Sequence, residues 1–165
     1  MLGRAASLVR LDFAPQQGQP SVWLLMLATA ASIAGSLAAD AILVAAGTTV
    51  FPSTRGYVHF QFSDYGKLTV IGVLIASVAW PVTTRITSSP RWLFLRMAIL
   101  VTLALWLPDV YILHLGQPPR AVAVLMVMHL AIAVVTYIAL TRVAPVRPPG
   151  RASAGRHAAT AGQED

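Results

Sequence analysis

Four long stretches of apolar residues, separated by short polar segments, dominate the chain. A membrane-crossing helix needs about 20 mostly apolar residues to span a hydrocarbon core of about 30 Å. Four stretches meet that requirement, at about 21–46, 65–84, 92–115 and 121–143. Continuous runs rich in Ala and Leu favour helices, whereas a membrane β-barrel would show shorter alternating segments. The pattern therefore predicts an all-α fold, an integral membrane four-helix up-down bundle over residues 21–144.

Prolines and glycines suggest where these helices begin and end. Gly47 follows the first stretch and is expected to close it, and Pro81 lies near the end of the second, where a helix-ending proline is common. Pro118 and Pro119 precede the fourth stretch, where a missing backbone donor costs little. Residues 1–20 are expected to form a short cytoplasmic N-terminal segment. Residues 145–165 are rich in Pro, Gly, Ala, Ser and Arg without apolar periodicity, which predicts a disordered cytoplasmic tail.

The segment 47–64 is the only connection long enough to hold structure of its own. It contains several aromatic residues, and its 58–62 portion alternates apolar and polar positions with a period of two. That alternation is compatible with a short strand. A loop lying at the lipid headgroups explains the aromatic content better, because aromatic rings concentrate at the membrane interface.

Composition agrees with a membrane location. Of the 165 residues, 56% are hydrophobic and 11% are charged, whereas a soluble domain is about a quarter charged. One small water-soluble core could not bury so many apolar side chains. The chain has no cysteine, which excludes disulfides, thiolate metal sites and a cysteine nucleophile.

The net charge of +6 reports membrane orientation. Cytoplasmic flanks of membrane helices retain Lys and Arg. Nine basic residues fall on one predicted side and three on the other, so both termini are expected in the cytoplasm of a bacterial plasma membrane, with no role for nucleic acid. The nine are Arg4, Arg10, Arg85, Arg91, Arg96, Arg142, Arg147, Arg151 and Arg156, and the three are Arg55, Lys67 and Arg120.

An alternative interpretation makes the first stretch a cleavable signal peptide. Arg4 and Arg10 precede the apolar segment 22–35, which is followed by small residues up to Asp40. Cleavage there would leave three helices. Against this, the N-terminal segment is long and the apolar stretch continues past Asp40.

Three ionisable residues are predicted to lie inside the membrane at similar depth. Ionisable groups in a bilayer are costly, so each needs a partner or a water-lined cavity. Asp40, Asp109 and His129 lie seven to nine residues from the non-cytoplasmic ends of the first, third and fourth stretches. At 1.5 Å per residue these depths are about 10–13 Å, so the three side chains could meet.

Helical spacing places both carboxylates on faces that suit helix contacts. On the first helix, Asp40 shares one face with three hydroxyl residues, and this stripe is Thr29, Ser32, Ser36 and Asp40. On the third helix, a second stripe is formed by Thr102, Trp106 and Asp109. Ala31, Gly35 and Ala39 repeat every four residues, a small-residue spacing that lets a neighbouring helix approach closely. We expect this face of the first helix to pack against the others.

Three interpretations of the Asp40, Asp109 and His129 set remain open. The groups could satisfy one another and fix helix register, or they could form a proton or cation path. They could also form a metal or catalytic centre with His59 or Asp64 from the loop, although no metal-binding or phosphate-binding motif supports this. No metal and no cofactor is therefore predicted.

The third and fourth stretches carry short motifs that resemble a known family. Leu107-Pro108-Asp109 ends one helix, a proline-containing loop follows, and the segment 123–130 reads AVLMVMHL. With the four-helix layout, this resembles a family of small actinobacterial integral membrane proteins of unknown function, in which a Met-His-Leu type motif is frequent in the last helix. The resemblance implies a four-helix membrane protein and no activity. The abundance of Arg over Lys also fits a high-GC bacterial origin.

The first functional expectation is a structural or accessory subunit of the membrane rather than an enzyme. Its partners would be the lipid bilayer and either a larger membrane protein or further copies of this chain. The second is a small proton- or cation-coupled transporter using the intramembrane Asp and His residues, which requires oligomerisation because four helices are few. The third is an enzyme that acts on envelope lipid.

Overall fold

Four long helices make up most of the computed structural model, which describes residues 18–146. Within that range there is no β-strand. The prediction of an all-α four-helix bundle is confirmed. The helices are α1 (Val22–Val50), α2 (Phe62–Ile86), α3 (Pro90–His114) and α4 (Pro119–Val143).

All four helices are long and apolar enough to cross a membrane. The shortest have 25 residues, which at 1.5 Å per residue gives about 37 Å, more than a hydrocarbon core of about 30 Å requires. Large apolar side chains such as Leu107, Ile75 and Val22 are exposed on the outward faces. Such faces are typical of helices that contact lipid, and the fold is that of a multi-pass membrane protein.

The helices form a ring in which chain neighbours run antiparallel and pack side by side. α1 closes the ring through its contact with α4, the most extensive in the bundle, and α2 also touches α4 across the interior. We call the end where α1 leads into α2 the loop end, and the end where α2 leads into α3 the opposite end.

The α1–α4 contact depends on two glycines. A Cβ added to Gly35 would lie 3.0 Å from Val135 Cγ1, and one added to Gly47 would lie 2.9 Å from Val124 Cγ2. The prediction that Gly47 ends the first helix is wrong, since α1 continues to Val50. Glycine at position 47 instead allows α1 and α4 to pack closely, because a side chain there would meet Val124.

Pro81 and the 47–64 connection also differ from prediction. Pro81 lies inside α2, which continues beyond it to Ile86; the expected helix end is wrong because proline keeps a helical φ and loses only one hydrogen bond. The connection contains two single-turn 3-10 helices, Pro52–Thr54 and Val58–Phe60, and α2 begins at Phe62. The alternating segment is therefore not a strand.

An aromatic core fills the opposite end of the bundle. Trp80 is fully buried, packs against Phe94 and donates a 2.8 Å hydrogen bond from Nε1 to the carbonyl of Ala144. Phe94 stacks in turn on Tyr137, with ring centroids 5.9 Å apart. The interior at this end is therefore packed with rings, beside buried hydroxyl groups such as those of Thr83 and Thr141, which donate to carbonyls of their own helices. The predictions for residues 1–17 and for 147–165, including the disordered tail, lie outside the described residues.

Candidate functional site

The first element of the candidate site is a carboxylate buried between α1 and α2. Asp40 is fully buried, and its Oδ2 accepts a 2.7 Å hydrogen bond from Thr69 Oγ1. Its other oxygen, Oδ1, is buried and takes part in no hydrogen bond within residues 18–146. The carboxylate thus has one partner on a neighbouring helix and one oxygen in need of another.

The second element is a carboxylate and an imidazole that face each other between α3 and α4. His129 Nδ1 lies 3.0 Å from Asp109 Oδ2. This separation is within ion-pair range, and neither atom has another polar partner in the described range. The Asp109 side chain is 7% exposed and that of His129 is 25% exposed. The contact is therefore mainly electrostatic, and it strengthens when the imidazole carries a proton.

The two pairs belong to one group of side chains. His129 also lies close enough to Asp40 for a charge on the imidazole to act on the carboxylate, although no hydrogen bond or ion pair joins the two side chains. We call Asp40, Thr69, Asp109 and His129 the polar cluster. It takes one residue from each of the four helices and lies between the loop end and the middle of the bundle.

The connection between α1 and α2 covers the polar cluster at the loop end. Phe60 is buried and packs against the α4 residues Ala121, Leu125 and Met128. Tyr57 packs edge-on to Phe60, with ring centroids 5.2 Å apart, and its hydroxyl is buried without a hydrogen bond in the described range. The aromatic pair therefore separates the cluster from the surface.

Two titratable groups lie above this cover. His59 Nδ1 approaches Asp64 Oδ2 to 2.6 Å, and both side chains are about two-fifths exposed. The His59 ring packs against Tyr57, with centroids 5.3 Å apart. Burial raises the pKa of the Tyr57 hydroxyl, and the negative charge of Asp109 raises it further. These groups lie between the surface at the loop end and the polar cluster.

The structure brings together the three ionisable residues selected from the sequence, Asp40, Asp109 and His129. Sequence reasoning missed Thr69 and Tyr57, which supply a hydrogen-bond donor and a cover. Thr69 carries a usable signal, because it belongs to the buried face of α2: Gly66, Thr69, Val73, Ser77 and Trp80. Nothing in the sequence joins that face to Asp40.

The small-residue face of α1 takes part in packing only in its middle. Gly35 contacts Val135 of α4, and Ala39 is half-buried. Ala31 is exposed. The residues that point inward are one position further along the helix, and they are Ala28, Ser32, Ser36 and Asp40.

An apolar groove lies on the surface between α3 and α4. Its volume is about 340 Å³, and small residues such as Ala98 and Ala133 form part of its lining. Polar side chains that border the groove already form hydrogen bonds within the chain. Thr102 donates to the Ala98 carbonyl, and Trp106 Nε1 donates to the Met126 carbonyl. The groove therefore presents apolar surface.

Residues 18–146 contain no group of three or more His, Cys, Asp or Glu arranged to hold a metal ion. Comparison with protein-family models, with curated proteins and with solved structures finds no match. The resemblance of the third and fourth helices to an actinobacterial membrane family stays a prediction.

Proposed function

We propose that this chain is a structural or accessory subunit of a bacterial plasma membrane, with both termini in the cytoplasm. The observation that carries the proposal is the polar cluster, which takes one side chain from every helix. Polar contacts between helices hold a fixed register in lipid, where a separated polar group has few other partners. A subunit that supports another membrane protein needs such a fixed shape.

The rest of the interior supports a structural role. The opposite end is filled by Trp80, Phe94 and Leu140, all buried, and no ionisable side chain among the described residues is buried there. The groove between α3 and α4 offers a surface on which the apolar helix of another membrane subunit can pack, because its bordering polar groups are already bonded.

The charges at the two ends support the proposed orientation. Within the described residues, the opposite end carries Arg85, Arg91, Arg96 and Arg142, and the loop end carries Arg55, Lys67 and Arg120. The Arg96 guanidinium lies 3.6 Å from the centroid of the Trp92 ring. The Arg96 side chain therefore points towards the N-terminus of α3, at the opposite end of the bundle. With Arg4 and Arg10 added, the excess of positive charge favours a cytoplasmic opposite end.

Cysteine cross-linking in native membranes tests the accessory role, since the natural chain has no cysteine. A cross-linker attached at Ala98→Cys, in the groove, should yield one adduct of defined mass. Ala30→Cys is the control that is matched in depth. Ala30 is exposed and lies eight residues after the start of α1, just as Ala98 lies eight residues after the start of α3. It should give no such adduct. Equal products at both positions, or none at either, would contradict the proposal, and an adduct of twice the chain mass would identify a second copy as the partner.

A second candidate function, proton-coupled transport, is favoured by the arrangement at the loop end. Asp64, His59 and Tyr57 form a series of titratable groups from the exposed surface to the covered Asp109–His129 pair. Neutral His is able to accept and release protons near physiological pH. Four helices are few for a transporter, so this function requires an oligomer.

Proton flux into proteoliposomes tests this second candidate. Wild-type protein should dissipate an imposed pH gradient faster than lipid alone, and folded His129→Gln protein should not. His114→Gln is the control, because His114 is an exposed histidine at the end of α3. Wild-type flux equal to that of empty liposomes would exclude transport by this route.

A further inference from the structure

Two buried hydroxyl groups differ from all other buried hydroxyls on the described helices. Ser36 Oγ and Thr136 Oγ1 take part in no hydrogen bond within residues 18–146, although their residues are 0% and 4% exposed. Ser32, one turn away on the same face of α1, donates to the Ala28 carbonyl in the usual way. The remaining buried helix hydroxyls also donate, and they are Thr69, Ser77, Thr83, Thr84, Thr102 and Thr141.

These two hydroxyls belong to the same region as the unpaired oxygen of Asp40. Ser36 and Asp40 are four residues apart on α1 and share its buried face, so their Cβ atoms are about 5–6 Å apart. The close approach of Gly35 to Val135 fixes the register of α1 against α4. That register puts Thr136 in the same layer as Ser36, which is the middle residue of α1.

When both carboxyl groups of the polar cluster are ionised, one negative charge is left to be neutralised. Asp40 and Asp109 then carry two negative charges, and the His129 imidazole supplies at most one positive charge. No Lys or Arg among the described residues forms an ion pair with either carboxylate. An unpaired charge is costly in a medium of low dielectric constant, so the ionised cluster requires a further positive charge.

We propose that Asp40 Oδ1, Ser36 Oγ and Thr136 Oγ1 bind a small monovalent cation such as Na⁺. Carboxylate and hydroxyl oxygens are hard ligands, which suit hard cations. A single positive charge balances the cluster, whereas a divalent ion would leave an excess positive charge in the membrane interior. A proton on Asp40 is the competing way to balance the charge, but it would add no sodium dependence to the stability of the fold. We call these three residues the cation site.

A sodium titration of the purified full-length chain tests the cation site. The midpoint of thermal unfolding is measured in detergent micelles while NaCl replaces choline chloride at constant ionic strength. The pH is held fixed, because His129, Tyr65 and, through His129, Asp109 also interact with Asp40. A ligand that binds only the folded state raises the midpoint in a saturable manner. We expect such a rise as Na⁺ replaces choline, and none when a second large organic cation, N-methyl-D-glucamine, replaces choline instead.

Variants separate the cation site from general packing. Asp40→Asn should abolish the sodium-dependent rise, and Ser36→Ala or Thr136→Val should weaken the apparent sodium affinity by about tenfold, as expected for the loss of one polar ligand. Ser32→Ala is the matched control, because Ser32 is equally buried but its hydroxyl is occupied by Ala28. It should leave the sodium affinity unchanged.

Three results would overturn the cation site. They are a wild-type midpoint that does not depend on Na⁺, an equal rise when N-methyl-D-glucamine replaces choline, and an unchanged sodium response in folded Ser36→Ala and Thr136→Val proteins. The titration needs no partner subunit and no transport assay. A failure of cross-linking at the groove would therefore not affect the sodium titration. A failure of the sodium titration would likewise not affect the cross-linking result.

Discussion

Thr69 of α2 donates a 2.7 Å hydrogen bond to the carboxylate of Asp40 on α1, in the fully buried interior of the bundle. The two residues are 29 positions apart in sequence. A carboxylate inside a membrane helix is retained only where another element supplies a donor or a counter-charge. This bond therefore ties α2 to the helix that carries the chain's first intramembrane charge.

Thr69→Val should destabilise the fold by about 1–2 kcal/mol. The change keeps the side-chain shape but leaves Asp40 Oδ2 without its donor, and an unsatisfied buried acceptor costs an amount of this order. The free energy of unfolding in mixed micelles measures it. Thr49→Val is the control, because Thr49 is exposed and donates only to the Ala45 carbonyl of its own helix. Equal stability losses in the two variants would show that the interhelix bond contributes nothing specific.

Gly47→Ala should destabilise the bundle by about 1–3 kcal/mol. The added Cβ would lie 2.9 Å from Val124 Cγ2, so either the Val124 side chain or the spacing of α1 and α4 would have to change. The second variant Val124→Ala should restore part of the loss, because it removes the opposing methyl groups. Thermal unfolding and near-ultraviolet circular dichroism of the three proteins make the comparison.

Gly72→Ala is the matched control for this substitution. Gly72 lies inside α2, and an added Cβ there meets nothing within 4 Å. Alanine is the better helix former by about 1 kcal/mol, so Gly72→Ala should be neutral or stabilising. If Gly47→Ala were equally harmless, the close approach of α1 and α4 would be refuted.

Tyr57→Phe should be neutral or slightly stabilising at pH 7 and should reduce the loss of stability at high pH. The Tyr57 hydroxyl is buried without a hydrogen bond in the described range, so its removal relieves a desolvation cost. Its pKa is raised in the fold by burial and by Asp109. The folded state therefore holds the phenolic proton more tightly than the unfolded state does.

The direction of the pH effect follows from that difference. The contribution of Tyr57 is fully present below the unfolded pKa of about 10 and is lost as the pH rises through the raised folded pKa. Unfolding titrations of wild type and Tyr57→Phe between pH 8 and pH 11 test this. Superimposable curves for the two proteins would mean that Tyr57 is not buried above Asp109.

The sequence predicts the bundle well because length and apolar content are local properties. The four stretches correspond to α1–α4, and the three intramembrane ionisable residues were identified by the cost of charge in lipid. The inward face of α1 was visible in the spacing of Ser32, Ser36 and Asp40. Each of these features depends on residues of one segment.

Pairings between segments could not be predicted in the same way. The partner of Asp40 depends on how α2 is rotated, and no feature of Thr69 distinguishes it in sequence from the back-bonded hydroxyl of Ser77. Gly47 was misread because helix termination and close packing both select glycine. Only the position of α4 decides between them.

A double-mutant cycle on Asp109 and His129 tests whether the polar cluster couples the helices. The free energy of unfolding is measured for wild type, Asp109→Asn, His129→Gln and the double variant under one condition. We expect each single change to destabilise the fold and the double change to cost less than their sum by about 0.5–2 kcal/mol. Additivity within about 0.3 kcal/mol would contradict the coupling.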